Sequence, residues 1–155
     1  MDEAAFKYAM SHFASGVTVV TTEIDGKPFG MTVASFASLS LHPPLVLICI
    51  EKTVKTHDAI AAAGKFGVSI LRSDQQEISA RFASRAEDKF AGVEIRRGTL
   101  DLPLIGGALT TLECRLADRL PGGDHSIFVG EVVDAQTIEG TPLLHFRSKY
   151  RELSA

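Results

Sequence analysis

Three short stretches of this chain hold residue types that could act together on a ligand. The first is Gly30-Met-Thr-Val-Ala-Ser-Phe-Ala-Ser-Leu-Ser40. In an extended backbone, alternation puts Thr32, Ala34, Ser38 and Ser40 on one side and Met31, Val33, Ala37 and Leu39 on the other. The first side is small and hydroxyl-bearing, with Phe36 its one large member. It leaves room for a flat ligand edge and offers hydroxyl and backbone groups to hydrogen-bond it. The second stretch, Glu51-Lys-Thr-Val-Lys-Thr56, stands where a strand gives way to a helix. Free N–H groups at a helix start, with Lys52, Lys55 and the hydroxyls of Thr53 and Thr56, suit a phosphate. The third is the tight turn Gly122-Gly123-Asp124, which would hold the ring of His125 at the rim of a β-structure. Read alone, each also has a plainer meaning: a loop of solvated serines, a helix capped by threonine, a hairpin with a surface histidine.

Other chemistries find no support in the spacing. His12, His42, His57, His125 and His145 are scattered, so a metal site is not expected. No Gly-x-Ser-x-Gly elbow marks a nucleophilic serine. Neither Gly-x-Gly-x-x-Gly nor a Walker A motif is present, so the common nucleotide folds are not the frame. Cys49 and Cys114 each lie in an apolar, strand-like run outside any Cys-x-x-Cys pair, and read as reduced, packed thiols of a cytoplasmic protein.

These residues need elements to hold them. Asp2 to Ala14 reads as a helix capped by Asp2, with Phe6, Met10 and Phe13 on one face. Gly16 breaks it, and Val17 to Thr22 is a β-branched strand. Asp25-Gly26 is a hairpin signal, with a return strand from about Pro28 to Ser35. Pro43-Pro44 turns into a central strand, Leu45 to Glu51, apolar on both faces. Thr53 to Ala63 is a helix stopped by Gly64, followed by a strand from Phe66 to Leu71. Ser73-Asp-Gln-Gln76 has capping-box spacing for a helix through Ile78 and Phe82. Two alternating runs, Leu109 to Leu120 and Ser126 to Thr137, flank the turn at Pro121–His125, and a short strand, Leu143 to Phe146, leads into a basic tail.

Strands dominate, and hairpins or helices join most of them. The architecture expected is mainly β (α+β): an antiparallel Greek-key barrel with peripheral helices. At 155 residues the chain suffices for one domain, 1–155, with a core that needs no metal or disulfide. Lys and Arg number 16 against 19 Asp and Glu, a net charge of −3, so no strong positive field for nucleic acid is present. The longest strongly apolar run, Leu45 to Ile50, falls far short of the roughly 20 residues a membrane helix needs, and no secretory leader is visible.

These signals occur in the order found in a known family. The chain resembles the flavin reductase domain family, small NAD(P)H:flavin oxidoreductases that serve two-component flavin monooxygenases. The likeness runs through Phe13-Ala-Ser-Gly-Val-Thr-Val-Val-Thr-Thr22, the Gly30–Ser40 segment, Pro43 to Ile50 and Phe66-Gly-Val-Ser-Ile-Leu71. It continues through Phe82-Ala83, Asp88-Lys-Phe90, Gly123-Asp-His125, Gly130-Glu-Val132 and Pro142-Leu-Leu-His-Phe146. Each piece is weak, but the ordered set spans nearly the whole chain.

The resemblance implies an FMN-binding split barrel, a homodimer with flavin near the subunit interface, and hydride transfer from NADH or NADPH to FMN or FAD. It implies Thr32, Ala34, Ser35 and Ser38 along the isoalloxazine and ribityl chain, with Cys49, Lys52, Thr53 and Thr56 leading toward the phosphate. Phe82 would lie close to the flavin, and His125 at the nicotinamide. Ala34 departs from the Asn or Ser of many relatives, which leaves backbone groups to hydrogen-bond the ring there. A flavin-dependent monooxygenase is the implied partner. Two other readings stay open: a tightly FMN-binding flavoprotein without NADH turnover, and a non-enzymatic interaction barrel.

Overall fold

The computed structural model describes residues 1–154. The elements in chain order begin with helix α1 (Glu3–Met10) and strands β1 (Ser15–Gly16), β2 (Thr18–Ile24), β3 (Lys27–Val33), β4 (Phe36–Ser40) and β5 (Leu45–Glu51). Helix α2 (Lys55–Ala63), β6 (Lys65–Ile70), α3 (Gln76–Ala83) and the short β7 (Ile95–Arg96) and β8 (Leu104–Ile105) follow. The long β9 (Thr110–Gly122) and β10 (His125–Thr137) precede β11 (Leu144–Phe146) and β12 (Lys149–Arg151). All strand pairs are antiparallel. No helix among the described residues is long and apolar enough to cross a membrane.

Seven strands form one sheet in the order β3-β2-β6-β9-β10-β5-β4. Its two edge strands, β3 and β4, are consecutive in the chain, with only Ala34 and Ser35 between them. Laid flat, six spacings of about 4.8 Å would hold the edges about 29 Å apart. The step from Val33 to Phe36 reaches about 11 Å at most. The sheet must therefore curl until its edges approach each other, and it acquires an inside and an outside.

The inside holds Val20, Val33, Val46, Ile48, Ile50, Phe66, Val68, Cys114 and Phe128, closed by Ile60 of α2. Gly64 ends α2 as its sequence suggests, with φ of 65° and its N–H on the carbonyl of Ile60. Outside, α3 brings Phe82 onto Val17, Val19, Leu71, Ile105 and Leu143. Strand β2 is buried on both faces for this reason, so its residues Thr18 to Thr22 do not alternate in burial.

Several sequence expectations change. The run from Gly30 to Ser40 is two strands, because the chain leaves one sheet edge and joins the other at Ala34–Ser35. Met31, Val33 and Phe36 all pack on the inner core, so the simple alternation across this run fails at the crossing. Helix α1 stops at Met10 rather than Ala14, tightening into the bonds His12 N–H to Ala9 O and Phe13 N–H to Met10 O. Phe6, Met10 and Phe13 are all exposed. The capping box at Ser73 does not form: its hydroxyl pairs with that of Thr141, and α3 begins at Gln76 without a side-chain cap. The basic tail forms β12, turned back on β11 through Arg147 and Ser148, both at positive φ. Such values suit the two-residue hairpin turn.

Gly130 shows how tightly the curled sheet is packed. A Cβ there would stand 2.4 Å from the Phe66 ring and 2.8 Å from Cβ of Cys114. Gly130→Ala should cost about 1–3 kcal/mol through overpacking. In urea the midpoint should fall while the slope of the unfolding free energy stays the same.

Candidate functional site

The hairpin β9–β10 turns through two residues, Gly123 at φ of 69° and Asp124, so that Gly122 faces His125 across the ladder. A left-handed first turn residue is what glycine supplies in a two-residue hairpin. On its other side β10 pairs with β5, placing His125 opposite Glu51 and Ile127 opposite Cys49. Cys49, Ile127, Glu51 and His125 therefore share the outward face of the sheet, where alternation turns Val46, Ile48 and Ile50 inward.

The backbone after β5 binds directly to this turn. Lys52 donates its N–H to the carbonyl of Asp124 at 2.9 Å and its ammonium to the carbonyl of Gly123 at 2.7 Å. His125 is half-exposed, and its Nδ1 lies 2.7 Å from the Asp124 carboxylate. That bond, with the charge the ring can carry, holds the Asp124 carboxyl below the usual carboxylate range. It also fixes the ring plane, because a histidine held at one nitrogen presents the other in a set direction.

At the opposite end of the strip, Cys49 donates its N–H to the carbonyl of Ser35 at 3.1 Å. The crossing Ala34–Ser35 is thus fastened beside the half-buried Cys49, and both crossing residues are exposed. The structure gathers Ala34, Ser35, Cys49, Lys52 and His125 along one line of neighbouring backbone. Thr53 is exposed next to Lys52, its hydroxyl donating to Glu51 Oε1 at 2.7 Å.

Four expected residues stand apart. Thr32 is half-buried and donates its hydroxyl to the carbonyl of Ser79 in α3 at 2.6 Å. Phe82 has no exposed surface; it meets Phe90 edge to face at 5.0 Å. A Cβ at Gly30 would lie 3.0 Å from both rings, so that glycine lets them settle on β3. Thr56 is buried in the first turn of α2. Ser38 is exposed but pairs with Val46, and so lies on the sheet face opposite to Cys49. Thr32 and Phe82 hold α3 against β3.

Sequence reasoning missed two residues here. His57 in α2 is buried against Phe128, with Nε2 at 2.8 Å from the Ser126 hydroxyl and Nδ1 at 2.8 Å from the Asp58 carboxylate. It ties α2 to the start of β10, next to His125. The only local signal was a histidine in a helix, since its partner lies far along the chain.

The two thiols differ in setting. Burial pushes Cys49 above its ordinary value, and burial with the neighbouring Glu113 charge raises Cys114 to about 12. Among the described residues, no group of three or more His, Cys, Asp or Glu side chains converges on a point. Because the thiolate is the reactive form, a neutral thiol reagent at pH 7.5 should modify Cys49 slowly and Cys114 only after denaturant is added. Rapid reaction of both in the native protein would contradict these placements.

The class defined so far is a curled antiparallel sheet carrying an exposed strip that runs from a strand crossing to a histidine-bearing turn. The flavin reductase like domain family matches residues 10–154, and the chain belongs to that family. It is similar to the reductase component of 4-nitrophenol 4-monooxygenase/4-nitrocatechol 2-monooxygenase from Rhodococcus opacus, 43% identical over 97% of this chain and 80% of the relative. The reductase component of 4-hydroxyphenylacetate 3-monooxygenase from Thermus thermophilus is 42% identical over 96% of this chain and 95% of its own. Among solved structures, the NADH:FAD oxidoreductase SgcE6 of Streptomyces globisporus, in complex with NAD and FAD fragments, superimposes with a TM-score of 0.95. It is 37% identical and covers 99% of this chain and 93% of that one.

Proposed function

We propose that this protein is an NAD(P)H:flavin oxidoreductase that reduces FMN or FAD for a partner flavin-dependent monooxygenase. The observation that carries the reading is the match to reductase components over 96–97% of this chain, supported by a strip whose residue types suit such a site. Leu47, Cys49 and Ile127 give a half-exposed apolar wall for a flat ring, and Ala34 and Ser35 give backbone groups beside it. Lys52 and Thr53 stand where a phosphate would follow. These residues fit a flavin.

The strip is open, however. Two of the chain's cavities measure about 300 Å³, beside Gln76, Leu143 and Tyr150, and about 190 Å³, beside Lys52 and Arg119. The first lies away from the strip and the second meets it only at Lys52, and sites for drug-sized ligands run to roughly 300–1,000 Å³. A second copy packed on the outward sheet face would complete the enclosure, so we read the protein as a homodimer. Exposed Leu120 and half-exposed Leu47 and Ile127 suit such a contact. The two sheet edges brought together at Ala34–Ser35 support the split-barrel reading, with 1–155 as one domain. Two free thiols accord with a cytoplasmic location.

Bound flavin supplies the hydride acceptor, and the chain supplies orientation. Asp124 fixes the ring of His125, which stands at the rim to position a nicotinamide. Lys52 holds the turn by its backbone and side chain, so the histidine and the phosphate end of the groove move as one body. Such positioning is worth rate because hydride transfer needs its two atoms within about 3–3.5 Å.

Steady-state NADH oxidation with FMN, FAD and riboflavin in turn tests the reading. Turnover is expected. A flavin that survives gel filtration without NADH oxidation would favour the tightly bound flavoprotein instead, and no flavin binding would favour an interaction barrel. In stopped flow, His125→Ala should slow flavin reduction up to about a hundredfold and raise the Michaelis constant for NADH, with flavin affinity nearly intact. Light scattering at micromolar concentration should give about twice the 16.6 kDa chain mass.

A further inference from the structure

Helix α2 begins without a side-chain cap, since its N-cap residue is Val54. A chain of three side chains fastens this end of the helix instead. The Asp58 carboxylate lies 2.8 Å from Nδ1 of His57, and Nε2 of His57 lies 2.8 Å from the Ser126 hydroxyl. A carboxylate can only accept, so Nδ1 of the neutral ring carries the proton, Nε2 accepts, and the Ser126 hydroxyl donates. Phe128 closes in the ring, edge to face at 5.1 Å.

Serine, histidine and aspartate in this order have the hydrogen-bond reach of a nucleophilic triad. An attacking hydroxyl must be open and its orienting acid shielded. Here Ser126 is 4% exposed, while the Asp58 side chain is 86% exposed. The arrangement transmits position instead. Ser126 directly follows His125 at the start of β10. It pairs with Ile50 and Pro121, and His125 with Glu51 and Gly122, so the two side chains leave opposite faces of the sheet. Holding the Ser126 hydroxyl from inside therefore sets the backbone from which His125 projects outside. On the other flank Lys52 holds the carbonyls of Gly123 and Asp124. Between these anchors the imidazole of His125 keeps only its own side-chain torsions, and Asp124 restrains those through Nδ1 at 2.7 Å.

We propose that His57 is a positioning residue for His125. The Asp58–His57–Ser126 chain fixes the start of β10 beneath the turn, and a histidine so held presents Nε2 in one direction at the rim. The orientation of His125 stands on this geometry alone. Its bearing on hydride transfer rests on the reductase reading, under which a misplaced nicotinamide costs rate steeply.

The orientation can be read without turnover, by nitrogen NMR of the labelled imidazoles in the flavin-free full chain at mildly alkaline pH. His125 should show one tautomer, with the proton on Nδ1, and Ser126→Ala should return it to the mixture of a free imidazole. Asp58→Ala alters an exposed side chain and spares the core, and it should move the same signals in the same direction by less. His125 signals unchanged in both variants would overturn the assignment. Stopped-flow reduction of flavin by NADH gives the second readout. Ser126→Ala should slow it about tenfold with flavin affinity nearly intact, and Ser126→Thr, which keeps the hydroxyl, should restore most of the rate. In a His125→Ala background Ser126→Ala should cost nothing further, because a residue acting through His125 has nothing left to position. An equal loss in both backgrounds would make the chain general scaffold and overturn its role. Coupled NMR signals in a protein that neither binds flavin nor oxidises NADH would keep the link between the two histidines and remove the reductase reading.

Discussion

Everything in this molecule depends on one short connection. The crossing at Ala34–Ser35 ties together the two ends of a seven-stranded sheet, and a sheet so tied has no flat solution. Curvature follows, and with it the separation of an apolar interior from an outward face that stays partly open. The same two residues that impose the curvature are exposed and fastened to β5 beside Cys49. The constraint that builds the scaffold thus also places the start of the candidate groove, leaving its backbone free to meet a ligand.

Local patterns were legible where local physics decides. Asp25 and Gly26, both at positive φ, turn the first hairpin as their residue types suggest, and Leu45 to Glu51 forms its strand with the bounds its apolar run implies. What could not be read was where neighbouring residues go once the sheet closes. Small hydroxyl-bearing residues from Gly30 to Ser40 looked like one face of one strand, yet tertiary closure sends Thr32 to α3 and Ser38 to the far edge. Phe82 carried a family likeness, but nothing local shows that its ring meets Phe90 over Gly30. His57 of α2 and Ser126 of β10 meet far along the chain, a pairing that no spacing in the sequence encodes.

The electrostatics near the His125 turn show a similar economy. Four carboxylates lie close in sequence to two cations, Lys52 and Arg119, and a simple charge count would predict mutual neutralisation. Instead the acids are directed to a backbone N–H, a hydroxyl and two imidazoles. Lys52 still helps to hold the Asp124 carboxyl below its usual range, but exposed charge pairs are worth only about 0–1 kcal/mol, so this adds little stability. The positive potential of the two cations is then available to whatever anion approaches the turn.

The long hairpin of β9 and β10 has a bearing on how the chain assembles. Its two strands meet through a two-residue turn, so the first pairs form at little cost in loop entropy. Pairing β10 with β5, by contrast, must gather all the chain between Glu51 and His125, and seating β4 at the far edge depends on β5 being in place. The hairpin is therefore the natural template, and the edges approach last. A nascent chain emerging from its N-terminus makes β4 and β5 long before β10 exists, which leaves one edge of the apolar run Leu45 to Ile50 unpaired through most of synthesis. That interval, rather than the finished fold, is when this sequence is most exposed to aggregation and most in need of a holding chaperone.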